Sequence, residues 1–237
     1  MGIYGRHMSG EVFNTILNFF FPPRCSGCGK FGDWFCKECF SEVVFVEKQI
    51  CPLCGHPSIG GLTHAVCKRP WGLDGLISVA ELEPPLNKAI YDLKYHWVKV
   101  LAPTLAALMI AFLQYFQLDF AGYIFVPIPL DNARQRWRGF NQSYLLGKEV
   151  ADFLGLPFEP EIIVRRKKTL PQAEIKNEQE RKKNMENAFC CSKDKVSGKK
   201  IVLVDDVVTT GATLQNAAKE LKRKGTLKVW ALTLARR

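Results

Sequence analysis

Apolar runs without interruption alternate along this chain with stretches of helical period. Leu76–Leu82, Tyr123–Ile128, Ile162–Arg165, Ile201–Val204 and Lys228–Leu234 read as strands, and the unbroken aliphatic run of Ile201–Val204 predicts burial on both faces. Between Val100 and Leu118 the residues Leu105, Leu108, Met109, Phe112, Leu113 and Phe116 recur at helical spacing, with Ala and Gln on the second face. That predicts a core-facing helix. The segment carries no charge, but Pro103, Gln114 and Gln117 speak against a membrane span. Near the N-terminus Phe13, Ile16, Leu17 and Phe20 fit one face of a short helix stopped by Pro22-Pro23. No basic run followed by a small-residue cleavage site precedes it, so a signal peptide is not expected. Leu214–Lys224 predicts another helix, ended by Gly225.

Composition narrows the class. The chain has 237 residues, 47% of them hydrophobic, with 33 Lys and Arg against 23 Asp and Glu. The apolar content excludes a disordered chain, and the length excludes a disulfide miniprotein. The net charge of +10 points to anionic partners. Arg134–Lys200 alone holds sixteen Lys and Arg against nine Asp and Glu, so the surplus is concentrated there.

Nine cysteines add a chemistry that periodicity does not show. Cys25-x2-Cys28, Cys36-x2-Cys39 and Cys51-x2-Cys54 are followed by His64-x2-Cys67. Two-residue gaps let both donors of a knuckle reach one ion, and Zn²⁺ accepts thiolate and imidazole alike, so two structural zinc ions are expected. Sequential pairing, Cys25/Cys28/Cys36/Cys39 and Cys51/Cys54/His64/Cys67, needs the shorter loops. Interleaved pairing and an unliganded His64 stay open. A module of about 50 residues has little core of its own, so the metal would hold it folded. Cys190-Cys191 falls outside the pattern.

The run Lys199–Thr213, KKIVLVDDVVTTGAT, is a strand, an acidic pair and a turn into a helix. Backbone N–H groups at a helix N-terminus favour an anion, and Gly211 permits close approach. The hydroxyls of Thr209, Thr210 and Thr213 add donors. Asp205 and Asp206 can accept from vicinal sugar hydroxyls or hold Mg²⁺ through water. A ribose 5-phosphate satisfies both demands. The chain has neither GxxxxGK[ST] nor GxGxxG. In Phe125–Ser143, FVPIPLDNARQRWRGFNQS, the alternating Arg134, Arg136 and Arg138 predict an extended loop that turns three cations to one side, suited to pyrophosphate. Asn141 is read as a helix cap, and Lys94 as a further ligand for the same anion. Arg165–Phe189 is charged without an apolar face and reads as a lid, with Gln172, Arg181 and Asn184 on a polar spacing.

VLVDDVVTTGAT resembles the phosphoribosyl-pyrophosphate signature of the type I phosphoribosyltransferases. The resemblance implies an α/β fold: a parallel sheet of about five strands with helices on both faces and a variable hood. It places the 5-phosphate on Thr209, Thr210, Gly211, Ala212 and Thr213 and the ribose hydroxyls on Asp205 and Asp206. It places pyrophosphate on Arg134, Arg136, Arg138 and Lys94, with Asp205, Asp206, Arg136 and Arg138 as the catalytic set. Together with the cysteine knuckles and RWRGFNQS, the whole resembles the ComF family and its GntX-like members. His64 stands where those members commonly have cysteine. The organisation implied is an N-terminal helix over 1–21, a double zinc ribbon over 22–70 and a transferase-like domain over 71–237.

The first functional reading is a cytoplasmic protein that binds phosphoribosyl pyrophosphate with Mg²⁺, as a transferase or a binder, linked through its family to DNA uptake in natural competence and to DNA-uptake proteins. The second is a binder of single-stranded DNA that uses Phe31, Trp34, Phe35 and Phe40 beside Lys30 and Lys37; those aromatics are more simply the ribbon's own core. A structural adaptor with a lost pocket is the third, and the intact acids and TTGAT loop argue against it.

Overall fold

A computed structural model describes residues 22–165 and 188–237. The expected N-terminal helix and most of the lid, with Gln172, Arg181 and Asn184, lie outside the described residues. Strand β1 (Gly75–Glu81), β2 (Tyr123–Pro127), β5 (Lys200–Val208) and β6 (Lys228–Arg236) form one parallel sheet in the order β1-β6-β5-β2. The unbroken apolar runs have the reason expected of them, because helices cover both faces. One face carries α2 (Leu86–Tyr95), α3 (Leu101–Tyr115) and α5 (Gln142–Leu154), whose apolar stripes meet Ile77, Phe125, Val202, Val204, Leu232 and Leu234. The other carries α7 (Ala212–Arg223), packed on Leu76, Val126, Ile201, Leu203, Val229 and Ala231. Alternate residues of β5 therefore belong to different cores.

The reading of Ile162–Arg165 as a further strand of this sheet is corrected. Ile163–Arg165 forms β3, which pairs antiparallel with β4 (Phe189–Cys191) as a separate two-stranded sheet. The sheet edge beside β2 is already taken: the N–H of Phe125 donates to Pro157 O at 2.8 Å and that of Glu159 to Phe125 O at 2.9 Å. Phe116 also departs from its expected place, capping α3 and remaining exposed while the five earlier apolar positions are buried.

Residues 22–70 are sewn to the opposite edge. The N–H of Val46 donates to Val79 O at 3.0 Å and that of Glu81 to Val44 O at 2.8 Å. Gln49 takes both backbone groups of Ser78, each at 2.9 Å. This protects an edge strand that would otherwise offer unpaired groups to another chain. The closest approach is at Gly61, whose φ is +74° and whose Cβ, if added, would stand 2.0 Å from Leu76 O. Gly61→Ala is expected to cost about 2–4 kcal/mol in urea unfolding, from left-handed strain and from forcing the ribbon off β1.

Candidate functional site

The eight knuckle donors converge as two groups of four. Cys25, Cys28, Cys36 and Cys39 form one, and Cys51, Cys54, His64 and Cys67 the other, with the donor atoms of each within 4.8 Å of one another. This is the sequential grouping. Although burial works to raise it, backbone N–H groups of Cys28, Cys36 and Gly27 bring the Cys25 thiol down to about 6. Burial and the neighbouring thiols push Cys67 up to about 11 and Cys39 well above its ordinary range. Sulfurs so placed cannot all ionise without a cation between them, which suits a thiolate-binding metal. His64 turns Nδ1 to Cys54 Sγ at 3.4 Å, and its Nε2 lies 3.1 Å from Pro57 O. A backbone acceptor on the second ring nitrogen is the arrangement that orients a ligating histidine. The structure thus offers two clusters suited to structural zinc, with four convergent donors in each.

The sheet's C-terminal edge gathers the remaining candidates, where open α/β sheets hold ligands. β5 runs on through Asp205 and Asp206 to Val208, longer than its apolar run. The chain turns at Thr209-Thr210, and Gly211, with φ 69°, starts α7 with no side-chain cap of its own, leaving only a long contact from the N–H of Ala212 to Thr210 Oγ1 at 3.4 Å. Thr209, Thr210, Ala212 and Thr213 are exposed. Asp205 lines the same hollow as Val207–Leu214. An uncapped helix start presents donors to an anion. A carboxylate in the same hollow disfavours a bare anion there and favours one that also brings hydroxyls.

The two acids have different surroundings, as consecutive strand residues must. Asp206 is buried and meets Lys94 Nζ, at the end of α2, at 2.8 Å. Asp205 accepts from Ser143 Oγ in the first turn of α5 at 2.8 Å. Burial, and then the Asp206 carboxylate, push Asp205 up to about 7. Lys94, read as an anion ligand, is thus held by an acid of the site.

The extended arginine loop is corrected. Asn132–Arg138 is a helix, α4, because Asp131 caps it by accepting from the N–H of Arg134 at 2.9 Å and Gly139, in the left-handed region, ends it. On a helix Arg134 and Arg138 share a face and Arg136 points away, so the three do not line one side. Arg134 pairs with Asp131 at 3.2 Å, Arg136 is exposed, and Arg138 is buried with its guanidinium 5.1 Å from the centre of the Tyr95 ring. Arg138 Nε, Gln142 Oε1 and Asp206 Oδ2 are buried without a hydrogen-bond partner among the described residues. Such groups are costly unless a ligand or water completes them. Asn141 does cap α5, accepting from the N–H of Ser143 at 3.0 Å.

Sequence reasoning missed Ser143, Gln142 and Gln215. Gln215, one turn into α7, donates to Pro52 O at 3.1 Å and accepts from the N–H of Leu73 at 3.4 Å. Pro52 lies inside the knuckle Cys51–Cys54, so the second cluster stands directly behind the phosphate turn. The first cluster is tied to α2 by Lys88 Nζ donating to Gly27 O at 3.1 Å. The ribbon aromatics divide: Phe35 is buried and Phe40 packs on the core, while Phe31 and Trp34 are exposed. Among the described residues no helix is long and apolar enough to cross a membrane.

A model of the double zinc ribbon domain matches residues 16–69, and one of the phosphoribosyl transferase domain matches residues 141–237. The chain is 34% identical to DNA utilization protein YhgH of Shigella flexneri, over 85% of this chain and 91% of that one. It is 30% identical to competence protein F of Haemophilus influenzae, over 89% and 90%. It is 29% identical to competence protein ComFC of Bacillus subtilis, over 80% and 78%.

Proposed function

The chain belongs to the ComF family, a double zinc ribbon joined to a phosphoribosyltransferase domain, and on that premise we propose that its sheet edge binds phosphoribosyl pyrophosphate in the service of DNA uptake or use. The carrying observation is the uncapped start of α7 sharing one hollow with Asp205. Backbone N–H groups from Thr209 to Thr213 receive the 5-phosphate. Asp205 and Asp206 accept from the ribose hydroxyls, and the unpartnered Asp206 Oδ2 is free to do so while Oδ1 stays on Lys94. Lys94, which meets Asp206, and the buried Arg138, whose Nε lacks a partner among the described residues, are assigned to the pyrophosphate end; Arg136, on another face of α4, is not. Asp205 and Asp206 would hold Mg²⁺ through water, and the ion would supply positive charge to the pyrophosphate.

Transfer of the ribosyl group asks little of the chain beyond this positioning and charge, since pyrophosphate leaves from a cation-like sugar. The acids orient the ribose, and Arg138 and Lys94 stabilise charge growing on the leaving group.

Calorimetric titration with the magnesium salt of phosphoribosyl pyrophosphate tests the reading. Saturable binding, with weaker binding of ribose 5-phosphate and of pyrophosphate alone, is expected. No heat with the intact ligand would sink it. Gln215→Ala, which frees the turn from Pro52, is expected to weaken binding about fivefold in the same titration, the worth of about 1 kcal/mol.

A further inference from the structure

Four hydrogen bonds close a ring that begins and ends on β5. The N–H of Ile128, just past β2, donates to Val204 O at 2.9 Å. Asn141 Nδ2 donates to Ile128 O at 2.9 Å, and Asn141 Oδ1 accepts from the N–H of Ser143 at 3.0 Å. Ser143 Oγ then donates to Asp205 Oδ1 at 2.8 Å, and Asp205 is the residue after Val204. Capping alone asks only for an acceptor at position 141, which serine or aspartate would supply. Asparagine also brings a donor, and that donor ties the start of α5 to the end of β2.

A close approach makes the last bond possible. A Cβ on Gly147, one turn beyond Ser143, would stand 3.4 Å from Val204 Cβ and 3.1 Å from the Phe158 ring. Residues four apart share a helix face, so the missing side chain at 147 lets Ser143 come down on Asp205. Ser143 is 1% exposed, so its hydroxyl faces protein and not solvent. An apolar side chain would fill such a place without the cost of burying a polar group.

Asp205 Oδ1 takes a second bond, from the N–H of Asp206 at 2.9 Å. Both bonds fall on one oxygen. Two donors at fixed positions set the plane of the carboxylate, and Oδ2 is the oxygen left for a ligand in the hollow that Asp205 shares with the threonine turn. A ligand-binding group works best when a second group, itself locked, holds it to within about 0.5 Å of its working position.

We propose that Ser143 is a positioning residue of the sugar-phosphate site, fixing Asp205 so that its Oδ2 reads one hydroxyl of the ribose ring. The role rests on the sugar-phosphate reading and adds discrimination to it: the site tells ribose from a deoxy sugar through a residue that touches no ligand. Asn141 acts one step further out, by holding the helix start that carries Ser143.

Competition calorimetry against the magnesium salt of phosphoribosyl pyrophosphate, with the full zinc-loaded protein, compares ribose 5-phosphate with its 2-deoxy and 3-deoxy analogues. The parent is expected to bind ribose 5-phosphate about tenfold more tightly than either analogue, the worth of one charge-assisted hydrogen bond. Ser143→Ala is expected to weaken ribose 5-phosphate about fivefold, because Asp205 must then be ordered by the ligand. One analogue, lacking the hydroxyl that Asp205 accepts, is expected to bind parent and variant alike. The other, whose missing hydroxyl belongs to Asp206, is expected to keep the fivefold effect. Asn141→Ser, which retains a capping oxygen and loses the donor to Ile128, is expected to give the same pattern at about twofold without altering position 143. Cooperative thermal unfolding checks that both variants are folded. Equal weakening of all three sugars assigns Ser143 to the fold alone and overturns the proposal. So does unaltered binding of ribose 5-phosphate in Ser143→Ala, or a parent that binds phosphoribosyl pyrophosphate without preferring ribose 5-phosphate to its analogues. A parent that binds no phosphoribosyl pyrophosphate sinks the sugar-phosphate reading itself, and the role of Ser143 with it.

Discussion

Replacing Asp205 and Asp206 together by alanine is expected to weaken phosphoribosyl pyrophosphate at least about a hundredfold in calorimetry, since charge-assisted hydrogen bonds contribute about 1.5–3 kcal/mol each. The two positions should not behave alike. Asp206→Ala strands the Lys94 ammonium it meets at 2.8 Å, so it should cost stability as well as affinity. Asp206→Asn keeps the shape and separates the two effects. Asp205→Asn should do the reverse. The Asp205 carboxyl is pushed from 3.8 up to about 7 by burial and by Asp206. Between those values the folded chain holds a proton that the unfolded chain has lost, so stability falls as pH rises through that window. Asp205→Asn removes the slope, and its thermal midpoint at pH 8 is expected to exceed that of the parent while its ligand affinity drops. Unaltered affinity in the double alanine variant would remove the acids from the site.

Loss of the first metal cluster is expected to be the most damaging single change to stability. Structural zinc in finger-like modules contributes about 10–16 kcal/mol of folding free energy. Cys25, Cys36 and Cys39 belong to the same buried cluster as Leu86, Ala89 and Leu93 of α2, so the damage should pass into the main core. Cys36→Ser is expected to lower the thermal midpoint by at least about 10 °C, given about 2–4 °C per kcal/mol at this size. Elemental analysis is expected to find two zinc ions per chain in the parent and one in this variant. Cys54→Ser, at an exposed position of the second cluster, should cost less stability. It should still weaken phosphate-sugar binding, because Pro52 in that knuckle holds Gln215. A parent without zinc, or a Cys36→Ser variant that melts like the parent, would contradict this account.

The strands, the long helix α3 and the start and stop of α7 were legible because each rests on local pattern: apolar runs, a 3.6-residue period, a glycine after the last turn. The knuckles were legible for the same reason, since donors two residues apart must turn toward one ion. The arginine segment was misread because alternation says extended only if nothing local makes a helix. There Asp131 and Gly139 supply a cap and a stop, and Arg134, Arg136 and Arg138 end in three different surroundings. The pattern of β3 does not show its sheet, because a short apolar run does not name its partner.

Local residue patterns already contain the chemistry available to this protein: eight metal donors in four knuckles, an acidic pair, and a threonine-glycine turn at a helix start. These depend on residue type and spacings of a few positions. The tertiary structure decided how that chemistry is shared out. It set Asp206 against Lys94 and Asp205 against Ser143, backed the phosphate turn with a zinc knuckle through Gln215 and Pro52, and joined Trp97 to Trp137. Those pairs lie far apart in the chain, and they meet because helices and the ribbon pack on the faces and edge of one parallel sheet.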